Sequence, residues 1–273
     1  MAILSRFAKI GIPLAAVVVA GTVLNDNHRH LLTAKALTLD NSYEGFPRRK
    51  WDWNWDNRDP ITMVDAEKLK DAKSEDERKA LIESKKPVAK RNIFLVRHGQ
   101  YNMHTATKNL TALGREQAAL LGKRLAASGK KFDLLIMSTM LRATETAKII
   151  LEEMDPMETE SDSLLEEGAP YPPEPCLHWY PKQHGSRIEA AFRKYIHRAS
   201  PKQKEDSYEI IVCHGNVIRY FICRALQFPP EGWLRFSLAN TSITWLVISP
   251  NGQVVVHAIG DIGHLSTDKI SFS

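Results

Sequence analysis

Cysteine is scarce in this chain. There are three, Cys176, Cys213 and Cys223. An odd number cannot pair completely, and their spacing is not that of zinc ligands. A disulfide scaffold is therefore not expected, and a reducing compartment fits. All three read as packing residues; Cys213 sits inside an apolar run. Strong charge is lacking as well. The 37 Lys and Arg against 32 Asp and Glu leave a formal charge of +5. The cations are scattered, with no arginine-rich block and no interleaved aromatic platform, so nucleic acid is not an expected partner. A modest positive excess does suit anionic substrates. There is no His-Glu-x-x-His pattern, no phosphate-binding P-loop and no internal repeat, so the sequence points to no metal and no cofactor.

An uncharged hydrophobic run of membrane character occurs in one place, residues 10–24 (IGIPLAAVVVAGTVL). Arg6 and Lys9 precede it, and Asn25-Asp26-Asn27-His28-Arg29-His30 stops it. At ~1.5 Å per residue the run is somewhat short for a hydrocarbon core of about 30 Å. Phe7 and Ala8, with Lys9 snorkelling, extend it enough to span. Val18-Val19-Ala20 also resembles a secretory cleavage site, the main rival reading. We expect residues 1–30 to form a single-pass N-terminal membrane anchor. Gly11, Pro13 and Gly21 make such a helix locally weak, which matters if a protease cuts there.

Residues 31–89 read as a linker. Its most unusual stretch is Trp51-Asp52-Trp53-Asn54-Trp55-Asp56. A short linker cannot bury three indoles by itself, and Trp is favoured where it anchors in a partner's pocket. The alternative is docking onto the chain's own domain. Residues 64–84 are rich in Lys, Glu, Asp and Ala and predict a solvated helix or charged spacer. Pro87 ends it, and the compact domain is expected over 90–273.

Within that domain, Ile93-Phe94-Leu95-Val96 is a short apolar run that reads as a buried strand, followed at once by Arg97, His98 and Gly99. Thr111 caps a predicted helix running to about residue 128, with Gly129 as its stop and Leu113, Ala118, Leu121 and Leu125 as its core face. Further strands are expected at 133–137, 209–213, 243–248 and 254–259, and helices at 141–154, 187–198 and 217–226. A proline-rich loop is expected around 170–181, and Pro250-Asn251-Gly252 signals a hairpin. Strands alternating with helices argue for an α/β fold with helices on both faces of a mostly parallel sheet.

Three strand ends carry chemistry. Open α/β sheets place their ligand crevice at the carboxyl ends of strands. There Arg97 offers a planar fork for phosphate, and a neutral imidazole such as His98 is a good nucleophile near neutral pH. An Arg-His pair after an apolar run is common on its own, so the case rests on the set. Ser138-Thr139-Met140-Leu141-Arg142 opens a helix after the second strand, which combines a cation with free backbone donors. Ile211-Val212-Cys213-His214-Gly215 repeats strand, His, Gly. Singly, His214 reads as a structural histidine; the three strand ends together are hard to explain by packing.

LVRHG, STMLRATETA and VCHGNVIR resemble the signatures of the histidine phosphatase superfamily, phosphoglycerate-mutase branch, over roughly residues 92–259. The resemblance implies a three-layer αβα fold. It implies that His98 is the nucleophile that becomes phosphorylated, that Arg97, Arg142 and His214 bind the phosphoryl oxygens, and that Glu167 in LLEEGAP donates the proton, with His214 counted in the catalytic set. The neighbouring Glu166 reads as a solvated acid. WDWNWD, RHGQY, LLEEGAP, DSYEIIVCHGNVIRY and RALQFPPEGWLR further resemble a mitochondrial serine/threonine protein phosphatase group within that family. That likeness implies a metal-independent enzyme that hydrolyses phosphoserine and phosphothreonine, with phosphohistidine as a further candidate substrate, in mitochondrial signalling proteins of fission, mitophagy and cell death. It also implies an outer-membrane location and phosphoprotein substrates such as an apoptosis-signalling kinase, a fission GTPase and a mitophagy receptor. Homo-oligomers would assemble through Trp51, Asp52, Trp53, Asn54, Trp55 and Asp56. Phe228, before Pro229-Pro230-Glu231-Gly232-Trp233, is a candidate subunit contact, with core packing as its alternative. Vertebrate members carry an Asn-x-Glu-Ser-Gly-Glu motif for a ubiquitin-ligase adaptor; here the linker reads Ala72-Lys73-Ser74-Glu75-Asp76-Glu77, so that partner is not expected. The rival readings are a small-molecule phosphatase or mutase on the same fold, and an oligomeric scaffold. A mutase needs extra phosphate ligands around the mouth, and no second cationic cluster is evident in the sequence.

Overall fold

The computed structural model describes residues 50–176 and 184–272. The expected anchor at 1–30 and part of the proline-rich loop lie outside these residues. Among the described residues no helix is long and apolar enough to cross a membrane. Residues 52–273 form one compact unit.

The sheet has six strands in the order β3-β2-β4-β1-β5-β6. They are β1 Arg91–Arg97, β2 Leu134–Ser138, β3 Glu158–Asp162, β4 Ser207–Cys213, β5 Ile243–Ile248 and β6 Val254–Asp261. The β3-β2-β4-β1 part is parallel, and β5 and β6 add an antiparallel margin. The two central strands are mostly buried and carry apolar runs, Ile93 to Val96 and Ile210 to Cys213, as strands covered on both faces must. Alternate residues divide between the faces. Phe94, Val96, Leu135, Met137, Ile210 and Val212 join one cluster with Leu121, Leu125, Ala143, Ala147 and Ile150. These helical residues come from α3 Ala112–Ala126 and α4 Leu141–Glu152. Two further α-helices among the described residues of the domain are α5 Gly185–Tyr195 and α6 Gly215–Ala225, and they bury Ile188, Phe192, Val217, Ile218 and Phe221. Phe192 and Phe221 meet edge to face at 5.7 Å. The α/β expectation and the mostly parallel sheet are borne out.

Several details differ from the sequence reading. β3 (Glu-Thr-Glu-Ser-Asp) was not expected, because it is an edge strand with no apolar alternation and pairs only with β2. The core face of α3 is Gly114, Gln117, Ala118, Leu121, Gly122 and Leu125, with Leu113 only half-buried. Thr111 does cap α3, accepting from the Gly114 N–H at 3.0 Å. Cys176 is exposed, against the packing role expected of it, whereas Cys213 and Cys223 are buried. Residues 64–84 hold two short exposed helices, α1 Ala66–Asp71 and α2 Glu75–Glu83. Asp65 and Ser74 cap them. At Pro250-Asn251-Gly252 the chain turns between β5 and β6, with Gly252 at φ +91°.

Candidate active site

The strand order converts separate motifs into one site. β4 lies between β2 and β1, and Arg97 is paired with Cys213 in the register. The residues that follow β1, β2 and β4 therefore emerge side by side at the carboxyl edge. His98 is anchored by its main chain: its N–H donates to Cys213 O at 3.0 Å and its carbonyl accepts from Asn240 Nδ2 at 3.1 Å. Gly99 must pass close to α3; a Cβ there would lie 2.5 Å from the Gly114 carbonyl oxygen. Its N–H donates to Thr146 Oγ1 at 3.0 Å.

The His98 ring is 2% exposed at the residue level and has a partner at each nitrogen. Nδ1 lies 2.8 Å from the Gly99 carbonyl, which can only accept. Nε2 receives the Arg142 Nε–H at 3.1 Å, from a group that can only donate. These two contacts assign the neutral tautomer with the proton on Nδ1 and the lone pair on Nε2. Burial holds the imidazole well below its ordinary pKa; the Gly99 carbonyl opposes this, and the cations Arg142 and Arg97 reinforce it.

His214 is fully buried, its ring centroid 5.2 Å from that of His98. Its Nε2 lies 2.8 Å from Ser138 Oγ. Nδ1 is buried with no hydrogen-bond partner among the described residues. Burial, then His98 and the nearby arginines, hold His214 well below its usual pKa. Arg97 donates from Nη1 to Leu238 O at 2.6 Å and from both Nη atoms to Phe272 O at 3.3 Å. The Arg142 guanidinium stacks on Tyr101, 4.7 Å from the ring centre. α4 and α6 both begin at this edge, and neither first turn has a side-chain cap. Their first-turn N–H groups add positive potential where the arginines converge.

Glu167 reaches the same place from the loop after β3. Its Oε1 accepts the Gly168 N–H at 3.1 Å, and the Asn216 N–H also bonds to the carboxylate. Burial raises its pKa above the usual glutamate value; Gly168, Arg142, Arg97 and Asn216 pull the other way without cancelling it. Glu166 points elsewhere and accepts from Thr139 Oγ1 at 2.5 Å. The structure thus brings together Arg97, His98, Arg142, Glu167 and His214. Sequence reasoning did not single out Tyr101, Ser138, Asn240 or Arg219. Arg219 lies one turn into α6, donates to Asn216 Oδ1 at 3.0 Å and interacts electrostatically with Glu167 and Arg97. Its spacing of three from Asn216, one helical turn, was the available signal. Among the described residues no cluster of His, Cys, Asp or Glu is arranged to hold a metal ion.

Asp52, Trp53, Asn54, Trp55 and Asp56 of the candidate assembly motif bond to residues away from this edge. Trp51 is half-buried. Asp52 exchanges hydrogen bonds with Gln227, 2.8 Å and 2.9 Å long. Asn54 accepts from the Asp59 N–H, and Trp55 Nε1 donates to Gly252 O at 2.8 Å. Asp56 forms an ion pair with Arg198, both side chains at most 2% exposed. Residues 52–56 therefore pack on the domain of their own chain, and Trp53 remains 52% exposed. Phe228, beside Gln227, is 49% exposed, so it is not a core residue.

Comparison with known proteins agrees with this geometry. The description "Histidine phosphatase superfamily (branch 1)" matches residues 93–170 and 168–259. A Caenorhabditis briggsae protein named "Serine/threonine-protein phosphatase Pgam5, mitochondrial" is 55% identical over 98% of this chain and 99% of its own. A human protein named "Serine/threonine-protein phosphatase PGAM5, mitochondrial" is 50% identical over 82% of this chain and 80% of its own. Among solved structures, a phosphoglycerate mutase from Plasmodium falciparum is 38% identical with a TM-score of 0.50, covering 66% of this chain and 96% of that one. Two histidines and two arginines at the ends of adjacent parallel strands, matched across the domain at the level of sequence, place this chain in the histidine phosphatase superfamily, branch 1.

Proposed function

We propose that this chain is a mitochondrial protein phosphatase that hydrolyses phosphoserine and phosphothreonine through a phosphohistidine on His98. The names of its full-length relatives support the substrate class and the compartment. The observation that carries the chemistry is the tautomer of His98: Nδ1–H fixed on Gly99 O and a lone pair on Nε2 facing Arg142. In the first step Nε2 attacks phosphorus while the bond from phosphorus to the serine or threonine oxygen breaks. That oxygen takes the proton of the Glu167 carboxyl group, which burial keeps available. Arg97, Arg142 and the Nδ1 of His214 hold the equatorial oxygens, where charge spreads in the transition state. The Arg142 Nε–H shifts from Nε2 onto a phosphoryl oxygen as the nucleophile engages. In the second step water attacks the phosphohistidine, gives its proton to the Glu167 carboxylate, and returns the lone pair to Nε2 with release of inorganic phosphate.

The same reading puts residues 1–30 in a membrane as a single-pass anchor, with the outer mitochondrial membrane favoured, and gives 31–89 and 90–273 linker and catalytic roles. Exposed Trp53 and Phe228, which flank the paired Asp52 and Gln227, are the surface through which copies would assemble. The phosphoprotein substrates would be signalling proteins of mitochondrial fission, mitophagy and cell death. The test is turnover of a phosphothreonine peptide beside phosphoglycerates, with His98→Ala as control. Peptide turnover that vanishes in the folded variant, with acid-labile phosphate trapped on His98, is expected. Preference for phosphoglycerates would favour a mutase or small-molecule phosphatase. Full activity of His98→Ala would refute the mechanism.

A further inference from the structure

The loop that carries Glu167 has no regular secondary structure beyond the short 3-10 turn Ser163–Leu165. A general acid must nevertheless be held within a fraction of an ångström of its leaving group. One side chain supplies much of that order. Arg187, in the first turn of α5, donates from Nη1 to Leu164 O at 2.8 Å and Glu166 O at 2.7 Å, with a longer contact to Ser163 O at 3.3 Å. Its Nη2 donates to Glu167 O at 3.1 Å. A single guanidinium therefore gathers the carbonyls of Ser163, Leu164, Glu166 and Glu167. The fit is completed by the same helix end: Ala169 N–H approaches His184 Nδ1 at 3.4 Å, and a Cβ on Gly168 would lie 2.7 Å from the His184 side chain. Burial lowers the pKa of Arg187, while the nearby carboxylates of Glu166 and Glu167 raise it.

We propose that Arg187 is a positioning residue for the proton donor: it fixes the Glu167 main chain and governs proton delivery to the leaving group through the Glu167 carboxyl group. This inference rests on the reading of Glu167 as the acid. A guanidinium is suited to the task because its planar fork serves several acceptors in one geometry, which an ammonium group on a flexible stem does not. The consequence is a dependence on the leaving group. A serine or threonine alkoxide requires a proton to depart, whereas p-nitrophenolate departs without one.

The experiment compares phosphothreonine peptide and p-nitrophenyl phosphate as substrates for the full chain, Arg187→Met, Arg187→Lys, Glu167→Gln and the double variant Arg187→Met/Glu167→Gln. Positioned general acids contribute about 10²–10⁴-fold. Arg187→Met should lose about ten-fold or more in kcat/KM for the peptide, which reports the steps up to the phosphohistidine and not its hydrolysis, while kcat/KM for p-nitrophenyl phosphate changes less than about three-fold. Arg187→Lys should recover little of the loss, and the double variant should be no slower on peptide than Glu167→Gln alone. Equal losses on both substrates in Arg187→Met, or a double variant slower by the product of the single losses, would overturn the positioning role while leaving the acid in place. Glu167→Gln losing no more on peptide than on p-nitrophenyl phosphate would refute Glu167 as the acid and this inference with it. If Arg187→Met does not fold, Arg187→Lys, which keeps the charge, decides by the same substrate ratio.

Discussion

Replacing Asp56 by alanine should destabilise the domain severely, far from the catalytic edge. Arg198 is buried, and its Nε and Nη2 both bond to the Asp56 carboxylate, at 3.1 Å and 2.6 Å, while its own N–H donates to the second carboxylate oxygen at 2.9 Å. Nη2 also donates to Trp53 O at 3.0 Å. Breaking a buried pair by removing one partner leaves an uncompensated charge and costs about 3–5 kcal/mol. The pair is also joined to the Trp55 hydrogen bond through Gly252, whose Cα region abuts the Arg198 guanidinium, and Trp55 packs on Phe192 with centroids 6.0 Å apart. With roughly 2–4 °C per kcal/mol for a chain of this size, the melting midpoint should fall by roughly 6–20 °C. Asp56→Leu combined with Arg198→Met should regain most of the loss, since apolar isosteres of a buried pair are often neutral. The measurement is thermal unfolding followed by circular dichroism, with sedimentation in parallel. A fall of under about 3 °C in Asp56→Ala would show that the charge is not buried in solution. If sedimentation then also shows smaller assemblies, residues 52–56 pack on another copy instead of on their own chain.

Three further outcomes follow from the geometry. Arg142→Lys should raise KM and lower kcat for the phosphopeptide, about ten-fold or more in kcat/KM, because an ammonium group cannot both donate to Nε2 and present a fork to phosphate; unchanged kinetics would place Arg142 outside the phosphate contacts. Phe228→Ala should leave the melting midpoint of a dilute sample within about 2 °C, as expected for an exposed side chain, yet reduce the sedimenting mass; a stability loss at constant mass would make Phe228 a packing residue. Lowering pH from about 6.5 toward about 4 should weaken the fold, because burial depresses His197 and His264 to about 4 and holds His98 and His214 well below 6.5. Their neutral forms stabilise the folded state above the unfolded pKa, and that contribution is lost as pH falls through the folded values. A melting midpoint independent of pH over this range would contradict the depressed values.

The fold was legible where periodicity and punctuation agree. Apolar runs of four or more residues marked β1, β4 and β5, and Thr111 and Gly129 marked the ends of α3. β3 was invisible because an edge strand beside one neighbour can be wholly polar. The site was legible at Arg97, His98 and His214 because strand-then-histidine-then-glycine is a local pattern. Glu167 came only from family resemblance: burial raises its pKa, and the groups it meets beyond its own loop, the Asn216 N–H of α6 and the guanidiniums of Arg142 and Arg97, are distant in sequence. Arg187 and Ser138 escaped notice for the same reason, since each acts through acceptors on other elements. The docking of Asp56 on Arg198, 142 positions away, likewise has no local signature.

The electrostatics of the site predict how its pH dependence changes on binding. Three cations, Arg97, Arg142 and Arg219, share one edge, and each has its pKa lowered chiefly by burial. Burial first, and then the field of Arg142 and Arg97, depresses His98, which keeps the proposed nucleophile neutral; the same two arginines pull the Glu167 pKa down against the burial that raises it. A bound phosphate dianion neutralises Arg97 and Arg142. The opposition to protonation of Glu167 then falls, and a second negative group nearby raises its pKa further. The acid is therefore more fully protonated in the enzyme–substrate complex than in the free enzyme. The profile of kcat reports the complex and that of kcat/KM the free enzyme. The basic limb of kcat should lie at higher pH than the basic limb of kcat/KM, and Glu167→Gln should abolish the limb in both. The acid limb of kcat/KM should fall well below 6.5, set by His98. Steady-state kinetics with a phosphothreonine peptide give both profiles, provided the substrate's own phosphate ionisation is subtracted using an unreactive analogue. Coincident basic limbs would mean that Arg97 and Arg142 do not discharge onto the substrate phosphate. A limb that survives in Glu167→Gln would assign the proton to another group.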